Sequence, residues 1–329
     1  MIVVTGASGL VGANMLRALL AQGHSVRALV HRDQRAVQGL QVERVAGDVR
    51  DVESLLVAFR NAEVVFHLAG SISLEMDSWT EVEAVNVAGT RHVAAACLQC
   101  GVRRLVHFSS IHALDQEPLD VPVDETRRRV EAPTFPPYSR SKAAAEKEVA
   151  AVQQKGLETV VLIPTAIVGP FDFKPSYFGQ AVLSLAKGRI PALVKGGFDW
   201  VDVRDVVAGA IQAGLHAPSG ANYILSGHWH TVQQVAQMVQ ELTGQLAPRL
   251  VVPTWLAYQA APLMRLAARF LGTDPIYTRV TLQALESNRQ VSSARAQRDL
   301  DYHTRPFQET LADTLAWFES NGYLAGHKG

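Results

Sequence analysis

The stretch Val4-Thr5-Gly6-Ala7-Ser8-Gly9-Leu10-Val11-Gly12, near the start of the 329-residue chain, decides the fold. An apolar run of strand length turns here into a segment with helical spacing. Glycines three residues apart let the backbone turn tightly and approach a pyrophosphate, whose charge then meets the N-terminus of the helix. The spacing is G-x-x-G-x-x-G instead of the more general G-x-G-x-x-G. Its place between a strand and a helix predicts a dinucleotide-binding turn.

Strands and helices alternate through the first half of the chain. Apolar runs of strand length occur at Ile2–Thr5, Ser25–Val30, Val42–Val45, Val64–Leu68, Leu105–Ser109 and Thr159–Ile163. Segments with helical spacing lie between them, at Leu10–Leu20, Val52–Ala58, Val82–Cys97 and Ser139–Val152. Short apolar strands joined by helices are typical of a parallel sheet that is covered on both faces. The pattern predicts the α/β class with a doubly wound, Rossmann-type sheet.

After Pro164 the alternation ends, and a loop-rich sequence leads into mainly helical patterns. We predict helices at Val203–Leu215, Val232–Leu242, Thr254–Phe270 and Phe307–Phe318, with one strand at Tyr223–Leu225. The expected organisation is a dinucleotide-binding domain over residues 1–165, to which 203–227 return, and a smaller, mainly helical substrate-binding lobe over 166–202 and 228–329.

The composition excludes several classes of protein. Hydrophobic residues make up 48% of the chain and charged ones 19%, which excludes intrinsic disorder. The 31 basic and 31 acidic residues cancel, so no nucleic-acid partner is expected. The first strand begins at Ile2, and no apolar stretch of about 18 residues occurs, so we expect a cytoplasmic protein without a transmembrane segment. Cys97 and Cys100 lack further ligands, and we interpret them as helix cysteines; no metal site is predicted.

The end of the second strand selects the cofactor in folds of this kind. A carboxylate there binds the ribose 2′-hydroxyl of NAD, whereas an arginine accommodates the 2′-phosphate of NADP. The strand ends in Val30-His31-Arg32, and no carboxylate precedes Asp33. This pattern favours NADP(H), with His31 and Arg32 as contacts. NAD(H) is the alternative, in which Arg32 is only a solvated surface cation.

A tyrosine and a lysine open a later helix, in Pro136-Pro137-Tyr138-Ser139-Arg140-Ser141-Lys142. Residues four apart lie on one helical face. A phenol with a pKa near 10 is a poor acid or base at neutral pH, and a nearby ammonium favours the phenolate. The pair therefore predicts a tyrosine that acts as general acid or base.

These motifs together carry a family resemblance. They are Thr5-Gly6…Gly9…Gly12, Asp48-Val49, His67-Leu68-Ala69-Gly70, Asn86-Val87-Ala88-Gly89-Thr90, Ser109-Ser110, Tyr138…Lys142 and Pro164, in that order. The chain resembles the extended short-chain dehydrogenases/reductases, within the NAD-dependent epimerase/dehydratase superfamily. Through Leu162–Phe171 and Leu300–Phe318 it is most similar to the bacterial dihydroflavonol-4-reductase-like branch.

The resemblance implies a role for each matching position. Ser110 hydrogen-bonds the substrate oxygen, Tyr138 moves the proton, and Lys142 binds the nicotinamide ribose while tuning Tyr138. The expected cofactor contacts are Gly6, Ser8, Gly9, Leu10, Val11, Gly12, His31, Arg32, Asp48, Val49, Leu68, Ala69, Gly70, Asn86, Ser109, Tyr138, Lys142, Pro164 and Thr165. His112 and Trp200 are candidate substrate contacts.

These residues predict an NAD(P)-dependent oxidoreductase that acts on a carbonyl compound or a secondary alcohol. The first alternative is a sugar-nucleotide epimerase or dehydratase with tightly bound NAD. It is disfavoured because Gly196–Trp200 contains no arginine and Ile163 stands where many epimerases have one. The second alternative is a non-catalytic dinucleotide sensor, disfavoured by the complete Ser–Tyr–Lys set. The triplet Arg127–Arg129 is interpreted as a solvated turn that could also hold an acidic substrate.

The most apolar segment of the chain is Val251–Phe270. Prolines and arginines interrupt it, so it cannot span a bilayer. We interpret it as a helix that covers a pocket for a hydrophobic small molecule, with peripheral membrane contact as the alternative. A homodimer is the default assembly for such a chain.

Overall fold

The computed structural model describes residues 1–76, 78–260 and 278–324. Twelve strands occur in this part of the chain: β1 Ile2–Thr5, β2 Val26–Val30, β3 Glu43–Ala46, β4 Val64–His67, β5 Arg104–Phe108, β6 Glu158–Pro164, β7 Ala166–Val168, β8 Leu193–Val194, β9 Gly197–Asp202, β10 Ala221–Leu225, β11 His228–Thr231 and β12 Val251–Val252. Seven of them form one parallel sheet in the order β10-β6-β5-β4-β1-β2-β3. The predicted doubly wound α/β fold is confirmed.

The helices with both ends in the described residues are α1 Leu10–Ala21, α2 Val52–Phe59, α3 Trp79–Val82, α4 Gly89–Gln99, α5 Pro137–Gln153, α6 Tyr177–Ala186, α7 Val203–His216, α8 Val232–Thr243, α9 Arg279–Leu285, α10 Ala294–Leu300 and α11 Phe307–Ser320. A further helix begins at residue 254 and is described up to residue 260; the rest of the predicted Thr254–Phe270 helix lies outside the described residues. No helix among those described is long and apolar enough to cross a membrane.

Both faces of the large sheet are buried, because its strands carry apolar side chains on alternating sides. Val4 joins Met15 of α1 and Val206 of α7 in one core. Its neighbour Val3 belongs to the opposite core, with Leu55 of α2 and Val93 of α4. Because the strands of this sheet are parallel, their carboxyl ends all lie at one edge of the sheet. Ligands bind at this edge in open α/β sheets.

The smaller lobe contains more strand than the sequence predicted. β7, β9 and β11 form a three-stranded sheet, and β8 pairs with β12. The strands of this lobe are two to six residues long, and partners such as β8 and β12 are far apart in the chain. Strands this short show little periodicity, so only the tertiary pairing reveals them. β10 lies at the edge of the large sheet beside β6.

The helix predicted over Val82–Cys97 is interrupted. α3 begins earlier, at Trp79, and a π-helical turn over Glu83–Ala88 separates it from α4. π-Helical turns are rare and frequently lie at functional sites. This turn carries Asn86, one of the predicted site residues.

Candidate active site

The glycine turn after β1 has the geometry that its sequence predicts. Gly6 adopts φ +68°, and a Cβ on it would lie 2.6 Å from the amide nitrogen of Ala69. A Cβ on Gly12 would lie 2.3 Å from the Gly6 carbonyl oxygen. Gly9, the residue before α1, is different, because a Cβ there would meet only that same carbonyl oxygen, at 3.5 Å. Packing thus requires glycine at positions 6 and 12, whereas Gly9 leaves open space beside the N-terminus of α1.

A buried hydrogen-bond chain connects β1 with β4 under this turn. Thr90 Oγ1 donates to the Asn86 carbonyl oxygen at 2.6 Å, so it accepts from His67 Nε2 at 2.9 Å. His67 Nδ1 is then the acceptor for the hydroxyl of Thr5, at 2.8 Å. Burial, and the nearby charge of Lys142, lower the pKa of His67 to about 3, so its ring stays neutral. The chain holds the strand ends together beside Leu68, Ala69 and Gly70.

The part of the predicted cofactor site around Asp48 is polar. The guanidinium and the backbone amide of Arg50 both donate to the carboxylate of Asp48, and this pairing lowers the pKa of Asp48 to about 2. His31 Nε2 lies 3.4 Å from the same carboxylate. Val49 is buried against the start of α4, at Gly89.

The cationic residues after β2 differ in their pairing. Arg35 makes a bidentate ion pair with Asp33, from Nε to Oδ1 and from Nη2 to Oδ2. Arg32 is exposed and has no ion pair in the part of the chain that the structure describes. Ser8 of the glycine turn donates its hydroxyl proton to the Asp33 carbonyl oxygen, so turn and cations lie side by side. Arg32 is therefore the cation that remains available to a ligand.

The end of β5 and the first turn of α5 bring Ser110 and Tyr138 together. The side chain of Ser110 is close enough to the Tyr138 hydroxyl to affect its pKa. From the sequence we expected an ammonium group to lower the pKa of this phenol. Burial raises it instead, and the hydrogen bond with Ser110 opposes that rise only in part. Tyr138 is accordingly a phenol at neutral pH and holds a proton that it can donate.

Lys142 lies one turn further along α5 and is buried. Its Nζ donates to the carbonyl oxygen of Phe108 at 2.8 Å. Burial lowers the pKa of Lys142 to about 8, while the carboxylate of Glu146 acts in the opposite direction. A Cβ placed on Gly70 would lie 3.4 Å from Nζ and 3.2 Å from Asn86 Oδ1. Gly70, Asn86 and Lys142 therefore converge at the strand ends.

Asn86 uses its whole amide to tie the π-helical turn to the site. Its Oδ1 accepts from the Ser71 amide at 2.8 Å, and its Nδ2 donates to the Ser71 carbonyl oxygen at 2.9 Å. The same Nδ2 donates to Ser141 Oγ at 2.9 Å, and Ser141 donates in turn to the Tyr138 carbonyl oxygen at 2.7 Å. This chain fixes the first turn of α5, and with it the position of the tyrosine.

Glu146 is a site residue that the sequence analysis missed. One of its carboxylate oxygens accepts a hydrogen bond from the Ser109 hydroxyl. The other accepts a hydrogen bond from Nε–H of Arg129, at 2.8 Å. Ser109 was expected to contact the cofactor, but its hydroxyl points toward α5 and is taken by this carboxylate. The available signal was the spacing, since Glu146 follows Lys142 by four residues and so shares its helical face.

The remaining predicted residues divide between site and scaffold. His112 donates its backbone N–H to Ser110 Oγ at 3.3 Å, and burial lowers its pKa to about 4. Trp200 was expected to touch substrate. The structure instead places it in the core of the smaller lobe, against Phe178 and Phe307, with its indole N–H donated to the His230 carbonyl oxygen at 3.1 Å. We assign it a packing role.

Other segments fill structural positions. Pro164 ends β6, and the Thr165 amide donates to the Leu225 carbonyl oxygen at 3.3 Å, which ties this strand end to β10. Cys97 is buried in α4, and burial raises the pKa of its thiol. The triplet Arg127–Arg129 is held by backbone carbonyl and carboxylate groups around it.

The family model that describes the NAD dependent epimerase/dehydratase family matches residues 2–225. The chain belongs to this family. The match covers the large sheet with its glycine turn and the Ser110–Tyr138–Lys142 set, so the recognition made from the motifs is confirmed.

Relatives extend the similarity over the whole chain. Sterol demethylase protein B of Methylococcus capsulatus is 37% identical over 328 residues, which cover 98% of this chain and 99% of that protein. A Synechocystis protein with the provisional name dihydroflavonol 4-reductase is 32% identical, over 98% of this chain and 95% of its own length. The crystal structure of gox2253 superposes with a TM-score of 0.86 at 33% identity, covering 98% and 99% of the two chains.

The glycine turn of this family member fits a dinucleotide. The open space at Gly9 lies at the N-terminus of α1, where the first backbone N–H groups have no helical partner. α1 has no acidic side chain in its first turn that would repel a phosphate. Gly6, Ser8, Gly9 and the first turn of α1 would hold the pyrophosphate, and the strand ends would hold the ribose and nicotinamide.

Proposed function

We propose that the protein is an NADP(H)-dependent reductase, or dehydrogenase in the reverse direction, that acts on a carbonyl compound or secondary alcohol of low polarity. The observation that carries this proposal is that the buried Tyr138 side chain interacts with Ser110 and lies one turn of α5 before the buried ammonium of Lys142. Similarity to a sterol demethylase protein and to a protein named for dihydroflavonol reduction supports a polycyclic substrate of low polarity.

Each residue has a role that follows from its chemistry. Bound reduced nicotinamide supplies the hydride for the carbonyl carbon. Ser110 and Tyr138 donate hydrogen bonds to the carbonyl oxygen, and Tyr138 transfers its proton there as negative charge develops. Lys142 stabilises the phenolate left behind, because its ammonium form dominates below its pKa of about 8. His112, with its lowered pKa, is a neutral wall beside Ser110.

Preference for the phosphorylated cofactor is supported by the charges near Ser8. Arg35, and at longer range Lys174, hold the pKa of Asp33 below its usual value. The carboxylate of Asp33 therefore stays ionised, and these two cations offset its negative charge. Arg17 lies near this place: its Nη1 donates to the Ala36 carbonyl oxygen at 3.1 Å, and its guanidinium lies over the ring of Phe173, the residue before Lys174. Arg32 and Lys174 would then surround a 2′-phosphate with positive charge.

The mechanism is tested by replacing the tyrosine. Tyr138→Phe removes the proton donor and leaves the ring, so we expect kcat to fall by at least about a hundredfold. The dissociation constant for NADPH should stay within about threefold, since the cradle is intact. Initial rates of NADPH oxidation against ketosteroids and dihydroflavonols, with fluorescence titration of NADPH, measure both. Tyr223→Phe, in β10 of the large sheet, is the matched control, and equal turnover in the Tyr138 variant would refute the mechanism.

The cofactor released by the purified protein separates this reaction from epimerisation. An exchanging cofactor leaves the site empty or filled with NADP(H). Near-stoichiometric NAD in the supernatant after denaturation would instead indicate a cofactor that stays bound between turnovers. The protein would then be assigned as an epimerase or dehydratase and not as a reductase. Chromatography of the released nucleotide distinguishes the two cases.

A further inference from the structure

The smaller lobe displays large apolar side chains that do not serve its core. Among the described residues, the three most exposed large apolar side chains are Trp255, Leu246 and Leu250, at 67%, 66% and 61%. Leu256 and Leu242 lie beside them in the sequence, at 44% and 38%. We call these five residues the Trp255 surface. All five lie within residues 242–256, and a run of exposed apolar side chains marks an interaction site more often than a single one does.

The backbone that carries the Trp255 surface is held in place. Gly244, with φ +75°, caps the C-terminal end of α8, and β12 further along the chain pairs with β8. The Leu193 amide donates to the Leu250 carbonyl oxygen at 2.9 Å. Ala257, next to Leu256, is buried in a small core with Leu282. The inward positions of this segment therefore pack into the fold, while the side chains of the Trp255 surface stay exposed.

Charge is distributed unevenly around this surface. The chain as a whole is neutral, yet neither residues 173–198 nor residues 242–260 contain a single Asp or Glu. The same two stretches hold the basic residues Lys174, Lys187, Arg189, Lys195 and Arg249.

Backbone and side-chain contacts place most of these cations beside the Trp255 surface. Lys187 and Arg189 flank Gly188, where a Cβ would lie 2.6 Å from Gln245 Nε2. The Lys195 amide donates to the Val252 carbonyl oxygen at 3.0 Å.

Two carboxylates adjoin the surface from neighbouring elements. Glu241 accepts from Gln308 Nε2 at 3.4 Å, and Glu286 accepts from the Tyr258 hydroxyl at 3.4 Å. These partners are uncharged, so both carboxylates keep their charge. Among the described residues named here, the cations Lys187, Arg189, Lys195 and Arg249 outnumber them, so the border is basic on balance.

We propose that the Trp255 surface docks the protein on an anionic lipid bilayer. Tryptophan and leucine partition into the boundary between headgroups and acyl chains, and a basic border attracts anionic headgroups. A second copy of this chain fits less well, because a two-fold contact would set one basic border against the other. Docking would place the smaller lobe where compounds of low polarity accumulate, and it does not depend on the reaction proposed above.

Vesicle flotation tests the proposal without any measurement of turnover. The full chain should float with vesicles that contain phosphatidylglycerol, float poorly with pure phosphatidylcholine, and lose binding as salt is raised. Quenching of tryptophan fluorescence by brominated acyl chains should accompany binding and should be lost in Trp255→Phe. Absence of binding to phosphatidylglycerol vesicles at low salt would overturn the proposal.

Matched variants identify the surface. The double variant Leu250→Ser/Trp255→Ser should reduce the bound fraction at least about tenfold, and Arg189→Gln/Lys195→Gln should reduce it mainly at low lipid charge. Val57→Ser/Leu119→Ser, which alters exposed apolar side chains elsewhere, should bind like the parent. Circular dichroism and melting confirm that each variant folds. Equal loss in both apolar pairs would refute the assignment, as would a concentration-dependent dimer that the Trp255 variant abolishes while lipid binding persists.

Discussion

At the scale of single residues, the chemistry depends on how far each charge is kept from water. Burial keeps Tyr138 protonated and lowers the pKa of Lys142 toward neutrality. Glu146 limits that decrease, because its carboxylate stabilises the ammonium. It also holds Ser109, the residue before Ser110, through the hydroxyl. We therefore regard Glu146 as a positioning residue that acts through its neighbours.

The role of Glu146 predicts a change in pH dependence. Glu146→Gln keeps the shape of the side chain but removes its charge, so the pKa of Lys142 should fall further below about 8. Activity that requires the ammonium is present below this pKa and lost above it, so the alkaline limb of kcat should move to lower pH. Glu148→Gln, which breaks a surface pair with Arg91, is the control. A lower kcat with an unshifted limb would mean that Glu146 is only structural.

Arg32 should discriminate between the two nicotinamide cofactors. Arg32→Gln removes the unpaired cation beside Ser8, and we expect the dissociation constant for NADPH to rise roughly tenfold or more. NADH lacks the phosphate, so its binding should change little. Titration of both cofactors against the variant, with Arg60→Gln as a control for net charge, provides the measurement. Parallel weakening of NADPH and NADH would assign Arg32 to another contact.

At the scale of elements, the turn from β1 into α1 separates packing from binding. Gly12 is pressed against the Gly6 carbonyl oxygen, whereas Gly9 faces open space. The glycines of this motif are thus needed for different physical reasons, and the motif alone does not show which glycine serves packing and which serves binding.

This difference predicts opposite outcomes for two alanine variants. Gly9→Ala should melt within a few degrees of the parent, because its backbone is unstrained at φ −81° and its Cβ has room. It should nonetheless weaken dinucleotide binding, since the methyl group enters the space for the pyrophosphate. Gly12→Ala should lower the melting temperature markedly, because its Cβ would overlap the turn. Melting curves and NADPH titration of both variants measure these effects. Unchanged NADPH binding in Gly9→Ala would show that the pyrophosphate does not bind beside Gly9.

At the scale of the whole molecule, a group of buried charges connects the lobes. Arg305, just before α11, donates to both oxygens of Asp205 on α7, from its amide and from Nε at 2.9 Å each. Asp202 lies 3.5 Å from the same guanidinium and pairs with Arg204 as well. Both carboxylates are almost completely buried, so they depend on their partners.

Removal of this arginine should therefore destabilise the fold. We expect Arg305→Ala to lower the free energy of unfolding by about 3 kcal/mol, since a buried carboxylate loses its cation. Arg298→Ala breaks an exposed pair with Asp299 and should leave the free energy of unfolding nearly unchanged. Urea denaturation followed by circular dichroism compares the two. If Arg305→Ala loses as little stability as Arg298→Ala, the lobes are held together by other contacts.

The sequence by itself determined the features that arise from neighbouring residues. The alternation of apolar strands and helices, the glycine turn, and Tyr138 four residues before Lys142 are local patterns, and each reflects one turn, one strand or one helical face.

Only the tertiary structure decided what depends on distant partners. It placed Trp200 in a core instead of a substrate contact, turned Ser109 toward Glu146, and paired the short strands β8 and β12. It also left Leu246 and Trp255 exposed although their types suggest burial. The physical reason is that burial and pKa depend on the atoms that surround a side chain, and in a wound sheet most of those atoms come from remote parts of the chain.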